Sequence, residues 1–220
     1  GQRNANSMCF GQEDVPDLAF EKARIIYNFG ADFLETWGRP VENARRLSES
    51  NAFDGKTKTE LVHLSPHVSL TGAKADRWVV INPGSEAMVA LSIASVIRDQ
   101  KGGYDFLSGM LAAFAPEKVA EATGVPAEKM KELAQKFIEN SPGLALGGGP
   151  SSRNSNLTSL HVAINILNTV SGNLGKTVFF HDQPAPENTS HQNLVQLIED
   201  LKSCLLYTYD AADESLCVYI

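Results

Sequence analysis

Residues 24–30 read Arg-Ile-Ile-Tyr-Asn-Phe-Gly, an apolar and aromatic run of strand length that stops at a glycine. Outward from it, Pro40 heads a helical stretch that continues through Leu47, which gives strand, loop, helix. Thr59–Leu64 repeats the strand pattern and is closed by Ser65-Pro66, and Trp78–Ile81 repeats it again before Pro83-Gly84. Glu86–Arg98 then reads as a helix that is apolar nearly all round, through Ala87, Met88, Leu91, Ala94 and Ile97, so it is expected to lie buried against a sheet. Strands alternating with helices predict an α/β fold of Rossmann-like βαβ units with parallel sheets and right-handed crossovers.

After Gly102-Gly103 the texture changes to short helices, opened by Pro116 and by Pro126. In the second of these, Ala127, Met130, Leu133, Ala134, Phe137 and Ile138 keep the spacing of one buried face. Gly143–Leu146 is a strand that feeds Gly147-Gly148-Gly149. Asn156–Ser171 follows as a helix ending at Gly172, a residue type suited to the left-handed C-terminal position. Thr177–Phe180 begins a further strand and Asn193–Leu201 a further helix. The expected organisation is a first Rossmann-like nucleotide-binding segment over 1–101 and a second α/β nucleotide-binding segment over 102–203.

The 220 residues carry 19 basic and 26 acidic side chains, a net charge of -7. That balance argues against a chain that grips phosphate backbones, so nucleic acid is not an expected partner. With 43% hydrophobic residues the composition is that of a folded chain. The longest apolar stretch, Ala87–Ile97, is interrupted by serines and falls well short of the roughly 20 residues that cross a bilayer. Cys9, Cys204 and Cys217 form neither a disulfide framework nor a metal spacing, and the five histidines fit no metal motif. Gly175-Lys176-Thr177 is not a phosphate loop: Val170 stands where a glycine is needed, and the segment runs into Val178-Phe179-Phe180 rather than a helix. From Cys204 the composition changes abruptly. The stretch Cys204–Glu214 resembles the translation of a transposase adapter used in preparing DNA libraries, so 204–220 is expected to be an adapter-derived tail on an internal piece of a longer protein.

Two loops draw attention by position. Gly147-Gly148-Gly149 lies between a strand and a helix, where backbone amides and the helix dipole favour an anion, and the third glycine of a dinucleotide motif would fall at Ser152. A plain strand-to-helix turn explains the same residues. Gly30-Ala31-Asp32 follows the first strand at the carboxyl edge of the sheet, where open α/β sheets bind ligands. A turn glycine with Asp32 as a cap is the competing reading.

Taken together, Phe29–Trp37 (FGADFLETW), Thr71–Trp78 (TGAKADRW) and Pro83-Gly84-Ser85-Glu86 resemble the molybdopterin oxidoreductase family, the DMSO reductase superfamily. Farther on, Ala122-Thr123-Gly124-Val125, the Gly147 loop and Gly172-Asn173-Leu174-Gly175 resemble the same family, and the similarity spans Arg24 to Leu201. Within it, the Phe33–Trp37 stretch is most similar to the molybdopterin-like large subunits of alternative complex III and menaquinone reductases. The resemblance implies two Rossmann-like domains that hold the guanosine ends of a bis(molybdopterin guanine dinucleotide) cofactor. It implies Gly30 and Asp32 at the first nucleotide edge, Ser65, Pro66, His67 and Thr71 in the ribose and phosphate loop, and Gly84 and Glu86 near the guanine. Gly148, Gly149 and Ser152 would face the second nucleotide.

The departures from the family pattern carry information. Catalytic members usually have an acidic residue, Pro and Arg where this chain has Ser65, Pro66 and His67, so a carboxylate acceptor and a permanent cation are lost. The family's metal ligand and cluster cysteines do not lie in this piece, so no catalytic or metal-binding residue is assigned and any iron-sulfur cluster lies outside it. The resemblance implies a fragment of a subunit in respiratory electron transfer, with iron-sulfur and membrane subunits as partners, on the periplasmic side of a bacterial membrane. A cofactor-free scaffold subunit of a quinol-oxidising membrane complex is the alternative.

Overall fold

The computed structural model describes residues 1–52, 58–149, 157–180 and 191–202. Helix α1 (Gln2–Phe10) comes first, followed by the two-residue strand β1 (Asp17–Leu18) and by β2 (Ile25–Phe29), α2 (Pro40–Ser50), β3 (Glu60–Leu64), α3 (Leu70–Lys74) and β4 (Arg77–Val79). Four helices come next, α4 (Glu86–Lys101), α5 (Ser108–Leu111), α6 (Pro116–Thr123) and α7 (Ala127–Glu139), and then β5 (Gly143–Gly147), α8 (Leu157–Ser171), β6 (Val178–Phe179) and α9 (His191–Lys202). Residues 1–182 form one compact unit; α9 belongs to a second unit, and its Leu194, Val195, Leu197, Ile198 and Leu201 are each partly exposed. Ser152 and the 204–220 tail lie outside the described residues.

Strands β2 to β5 form one parallel sheet in the order β4-β3-β2-β5, as an α/β fold requires. β1 and β6 make a separate antiparallel pair. The chain steps outward from β2 to β3 to β4, then returns through four helices to the far side of β2. The direction of winding therefore reverses between β2 and β5, and the carboxyl edge at such a switch point is where open α/β sheets bind ligands. Segments 1–101 and 102–203 contribute to this one sheet: β5 from the second finds its ladder partner in β2 of the first, which gives its backbone N–H and C=O groups partners.

All five residues of β2 are buried, because helices cover both faces of the sheet. On one face Ile25, Tyr27 and Phe29 join Val62, Leu64 and Ala145 against α4, α7 and α8. On the other, Ile26, Leu61, Leu144 and Leu146 pack with Phe20, Phe33 and Leu47 of α2. α4 is buried on nearly every side, as its composition predicts, since α6, α7 and α8 all contact it. The α7 stripe Met130, Leu133, Ala134 and Phe137 is buried as well, and Tyr27 donates its hydroxyl hydrogen to the Leu133 carbonyl at 2.7 Å. Burial of Met130, Leu133 and Phe137 contributes roughly 1.5–3 kcal/mol of transfer free energy each. Pro40 and Pro116 stand in the first turns of α2 and α6, and Gly172 (φ 75°) follows α8.

Candidate functional site

Four loops meet the switch point, each leaving the carboxyl end of a strand. After β2, Asn28 staples the turn: its Oδ1 accepts from the Ala31 N–H at 2.8 Å, and its Nδ2 donates to the Ala31 carbonyl at 2.7 Å. This closes a tight loop in which Gly30 has φ 74°, a conformation costly for any residue with a Cβ. After β5, the Gly148 N–H donates to the Phe29 carbonyl at 3.2 Å, and a Cβ placed on Gly149 would overlap the Gly30 carbonyl oxygen. The structure thus brings Gly30, Gly148 and Gly149 together at one place, and chain-to-chain approach accounts for the glycine at 149.

The loop after β3 carries Ser65, buried, whose Oγ accepts from the His67 N–H at 3.4 Å and lies 3.5 Å from His67 Nδ1. Pro66 is half-buried and His67 exposed. Thr71, fully buried, ties this loop to the previous one: its Oγ1 accepts from the Leu34 N–H and its own N–H donates to Glu35 Oε1, both at 3.2 Å. After β4, Gly84 (φ 79°) turns the chain so that Glu86 starts α4 with only 2% of its surface exposed. Burial pushes the Glu86 carboxyl above its ordinary range, against the opposing pull of the Gly84 and Glu86 N–H groups and of His67.

Asp32 is 5% exposed. Its Oδ1, together with Glu86 Oε1 and His63 Nε2, has no hydrogen-bond partner among the described residues. A buried polar atom left unpaired costs about 1–3 kcal/mol, so three of them around one sheet edge require an explanation.

His63 is a residue the sequence reading passed over. It lies on β3 opposite Asn28, fully buried, with Nδ1 3.0 Å from Asn28 Nδ2. Asn28 Oδ1 is committed to the Ala31 N–H, so the atom facing His63 is the amide nitrogen, which can only donate. Nδ1 must accept, and the neutral ring carries its proton on Nε2. Burial lowers the His63 pKa; the charge of Asp32 acts the other way, and His67 adds to the lowering. A polar residue inside an otherwise apolar strand was the available signal, shared by Asn28. No three His, Cys, Asp or Glu side chains among the described residues gather into a metal-holding group.

A concavity of about 640 Å³ opens elsewhere, between β1 and the start of α2, lined by Asp17, Trp37, Arg39, Glu42 and Arg46 among others. Its arginines are already paired: Arg46 with Asp17 at 2.9 Å and Glu42 at 2.8 Å, Arg39 with Glu42 at 3.1 Å. None of its lining residues carries an orphaned buried side-chain atom, and the sheet edge with its unpaired polar atoms is the better candidate.

No protein-family model matches the chain. The menaquinone reductase molybdopterin-binding-like subunit of Nitratidesulfovibrio vulgaris is 28% identical over 164 residues, covering 71% of this chain and 24% of that protein. The dimethyl sulfoxide reductase DmsA of Haemophilus influenzae is 25% identical over 186 residues, covering 70% of this chain and 23% of the other. The chain is related to the molybdopterin oxidoreductases. Its fold is that found in acetylene hydratase from Pelobacter acetylenicus, with a TM-score of 0.62 and 20% identity over 80% of this chain and 26% of that one. This molybdopterin-oxidoreductase relative spans about a quarter of the length of the proteins it matches.

A guanine-nucleotide end offers ribose hydroxyl and ring N–H donors at one side and phosphate oxygens at the other. The orphaned Asp32 and Glu86 oxygens fit the first: both are acceptors in need of donors. For the phosphates, the described part of the loop after β3 offers Ser65 and His67, a hydroxyl and an imidazole in place of a permanent cation.

Proposed function

We propose that this chain is the nucleotide-holding portion of a molybdopterin-oxidoreductase-like subunit in respiratory electron transfer. It works beside iron-sulfur and membrane subunits, on the periplasmic side of a bacterial membrane. The observation that carries the reading is the reversal of winding between β2 and β5, with Gly30, Gly148 and Gly149 at the mouth and two unpaired carboxylate oxygens, Asp32 Oδ1 and Glu86 Oε1, beside it. Asp32 and Glu86 would accept hydrogen bonds from the guanosine end of a molybdopterin guanine dinucleotide; Gly30, Gly84 and Gly148 would hold the loops in the left-handed turns that shape the switch point. Ser65, His67 and Thr71 would form its β3 wall, and Ser152 would complete the loop after β5. When bound, the cofactor would supply oxygen-atom or electron-transfer chemistry; none of this chain's own residues is assigned a catalytic step.

The second reading, a cofactor-free scaffold subunit of a quinol-oxidising complex, is favoured by Ser65 and His67. At that position the loop offers a hydroxyl and a titratable ring where a fixed charge would hold phosphate. Metal analysis and guanine-nucleotide release from the complete subunit, purified natively, separate the two. Stoichiometric guanine nucleotide and molybdenum is the result expected of the cofactor-binding reading. Neither, in an assembled and active complex, would leave the scaffold.

A further inference from the structure

Asn28 serves two neighbours with one side-chain amide. Its Oδ1 accepts from the Ala31 N–H at 2.8 Å and its Nδ2 donates to the Ala31 carbonyl at 2.7 Å, which closes the turn at Gly30; the same Nδ2 lies 3.0 Å from His63 Nδ1. All three contacts hold together only while Nδ1 is an acceptor. The other ring nitrogen, Nε2, then carries the proton of the neutral ring and has no hydrogen-bond partner among the described residues; a Cβ on Gly72 would stand 3.1 Å from it. A second proton can enter the ring only at Nδ1, on the side turned to Asn28.

That proton and the closed turn exclude each other. With Nδ1 protonated, the amide either keeps its orientation and sets two donors face to face, or rotates and offers Oδ1 to the ring. Rotation puts Oδ1 against the Ala31 carbonyl and Nδ2 against the Ala31 N–H, so both bonds of the turn are lost. The loop after β5 leans on this same turn: the Gly148 N–H donates to the Phe29 carbonyl at 3.2 Å, and Gly149 has no room for a Cβ against the Gly30 carbonyl oxygen.

Taking its ligand from the nucleotide-site reading above, we infer that His63 is a proton-operated latch on the switch point: neutral, it leaves Asn28 to hold the Gly30 turn closed; protonated, it draws the amide away from Ala31, and the site loses affinity. Burial is the largest influence on the ring and favours the neutral form. Asp32, in the loop after β2, favours the imidazolium, while His67, in the loop after β3, opposes it through its ring and favours it through its backbone. Asn28 of β2, Gly72 of α3 and Trp78, the ladder partner on β4, bring no charge. The latch is therefore closed at neutral pH and opens on the acid side of the ordinary imidazole range. By linkage, a ligand that needs the closed turn resists protonation of His63, and acid weakens its binding.

The test follows the Ala31 and Ala145 amides of the 220-residue chain by hydrogen exchange in NMR, between about pH 7.5 and about pH 4.5, while the His63 ring is titrated. Protection of Ala31 should fall about tenfold with the midpoint of the His63 titration, while Ala145, clasped by Asn168, keeps its protection. In His63→Asn, whose side-chain oxygen can take the place of Nδ1 and does not titrate, Ala31 should stay protected throughout. GDP, the probe for the site, should bind the unaltered chain about tenfold more weakly below that midpoint, and His63→Asn equally at both ends of the range. A ring that stays neutral down to about pH 4.5 would leave nothing to operate the latch. Ala31 protection that is flat through the His63 titration, or that falls together with Ala145, would overturn it whether or not His63→Asn folds. A fall that persists in folded His63→Asn would assign the switch to another group and sink the inference as well. GDP affinity that does not follow the Ala31 step would detach the latch from the site. Absence of GDP binding at every pH would remove the nucleotide reading, while the Ala31 step would still decide whether the latch exists.

Discussion

The side-chain amide of Asn168, on α8, hydrogen-bonds both backbone groups of Ala145, on β5: its Oδ1 accepts from the Ala145 N–H at 3.0 Å and its Nδ2 donates to the Ala145 carbonyl at 2.8 Å. Among the described residues β5 is an edge strand, with β2 on one side only, and the amide stands where a further strand would pair. Asn173 reinforces it by donating to the same Oδ1 at 3.0 Å. Replacing Asn168 with leucine would bury two unpaired backbone groups and is expected to cost about 2–5 kcal/mol. Urea unfolding followed by circular dichroism would read this as a lowered midpoint with an unchanged slope; an unchanged midpoint would mean that β5 does not depend on the clasp.

The glycine loops make a sharper contrast. In Gly149→Ala the new methyl meets the Gly30 carbonyl oxygen, a backbone atom, so one of the two loops must shift; a loss of about 1–3 kcal/mol is expected. Gly30→Val adds a β-branched side chain at φ 74° and should be at least as damaging. Gly109, in α5, has open space around its Cβ position and an ordinary φ, so Gly109→Ala should be neutral or stabilising by up to about 1 kcal/mol. Parallel thermal melts of the three variants decide it: a common shift would show that the switch point imposes no special demand.

Much of this was legible in the sequence because it rests on local signals. The strands at Ile25, Glu60, Arg77 and Gly143 were marked by β-forming runs ending in glycine or proline, and α2 and α6 by prolines in their first turns. The ordering of those strands was not legible. That β5 lies beside β2 rather than in a sheet of its own depends on where four intervening helices send the chain, and no local pattern encodes it. α1 went unread because it carries no apolar stripe: it buries only Ala5 and Asn6, and Asn165 of α8 donates to Asn6 Oδ1 at 2.8 Å. In the site, Gly30 and Asp32 were marked by following a strand, whereas Asn28, His63 and Asn168 act through partners 3, 35 and 23 residues away.

Acid should loosen the fold through His161. This residue of α8 is 6% exposed, and burial first, the nearby amino-terminal charge second, bring its pKa from 6.5 down to about 4. A histidine whose folded pKa is depressed takes its proton more readily when unfolded. Its contribution is therefore complete above about 6.5 and is lost as the pH falls towards 4. At about 1.4 kcal/mol per unit the loss is on the order of 3 kcal/mol. His63, also depressed, acts in the same direction, and Glu86, raised, acts in the opposite one, so the informative quantity is a difference. Stability measured at pH 7 and pH 4.5 should fall further in the unaltered chain than in His161→Gln; equal falls would show that His161 does not titrate on unfolding.

The Asn28–His63 pair gives a prediction that spectroscopy can read directly. Because Asn28 Nδ2 can only donate, the His63 ring should hold its proton on Nε2 and resist gaining a second one on Nδ1, which would set two donors face to face at 3.0 Å. Long-range nitrogen–proton correlation spectra should show His63 as a single Nε2–H tautomer that stays neutral below the ordinary imidazole range, because burial lowers its pKa. Asn28→Asp turns that donor into acceptor oxygens. His63 Nδ1 should then favour a proton, the His63 pKa should rise, and the lost bond from Nδ2 to the Ala31 carbonyl should cost about 1–3 kcal/mol. If the tautomer and the titration of His63 are the same in both proteins, the orientation of the Asn28 amide is reversed, and the staple that closes the turn around Gly30 would need a different donor.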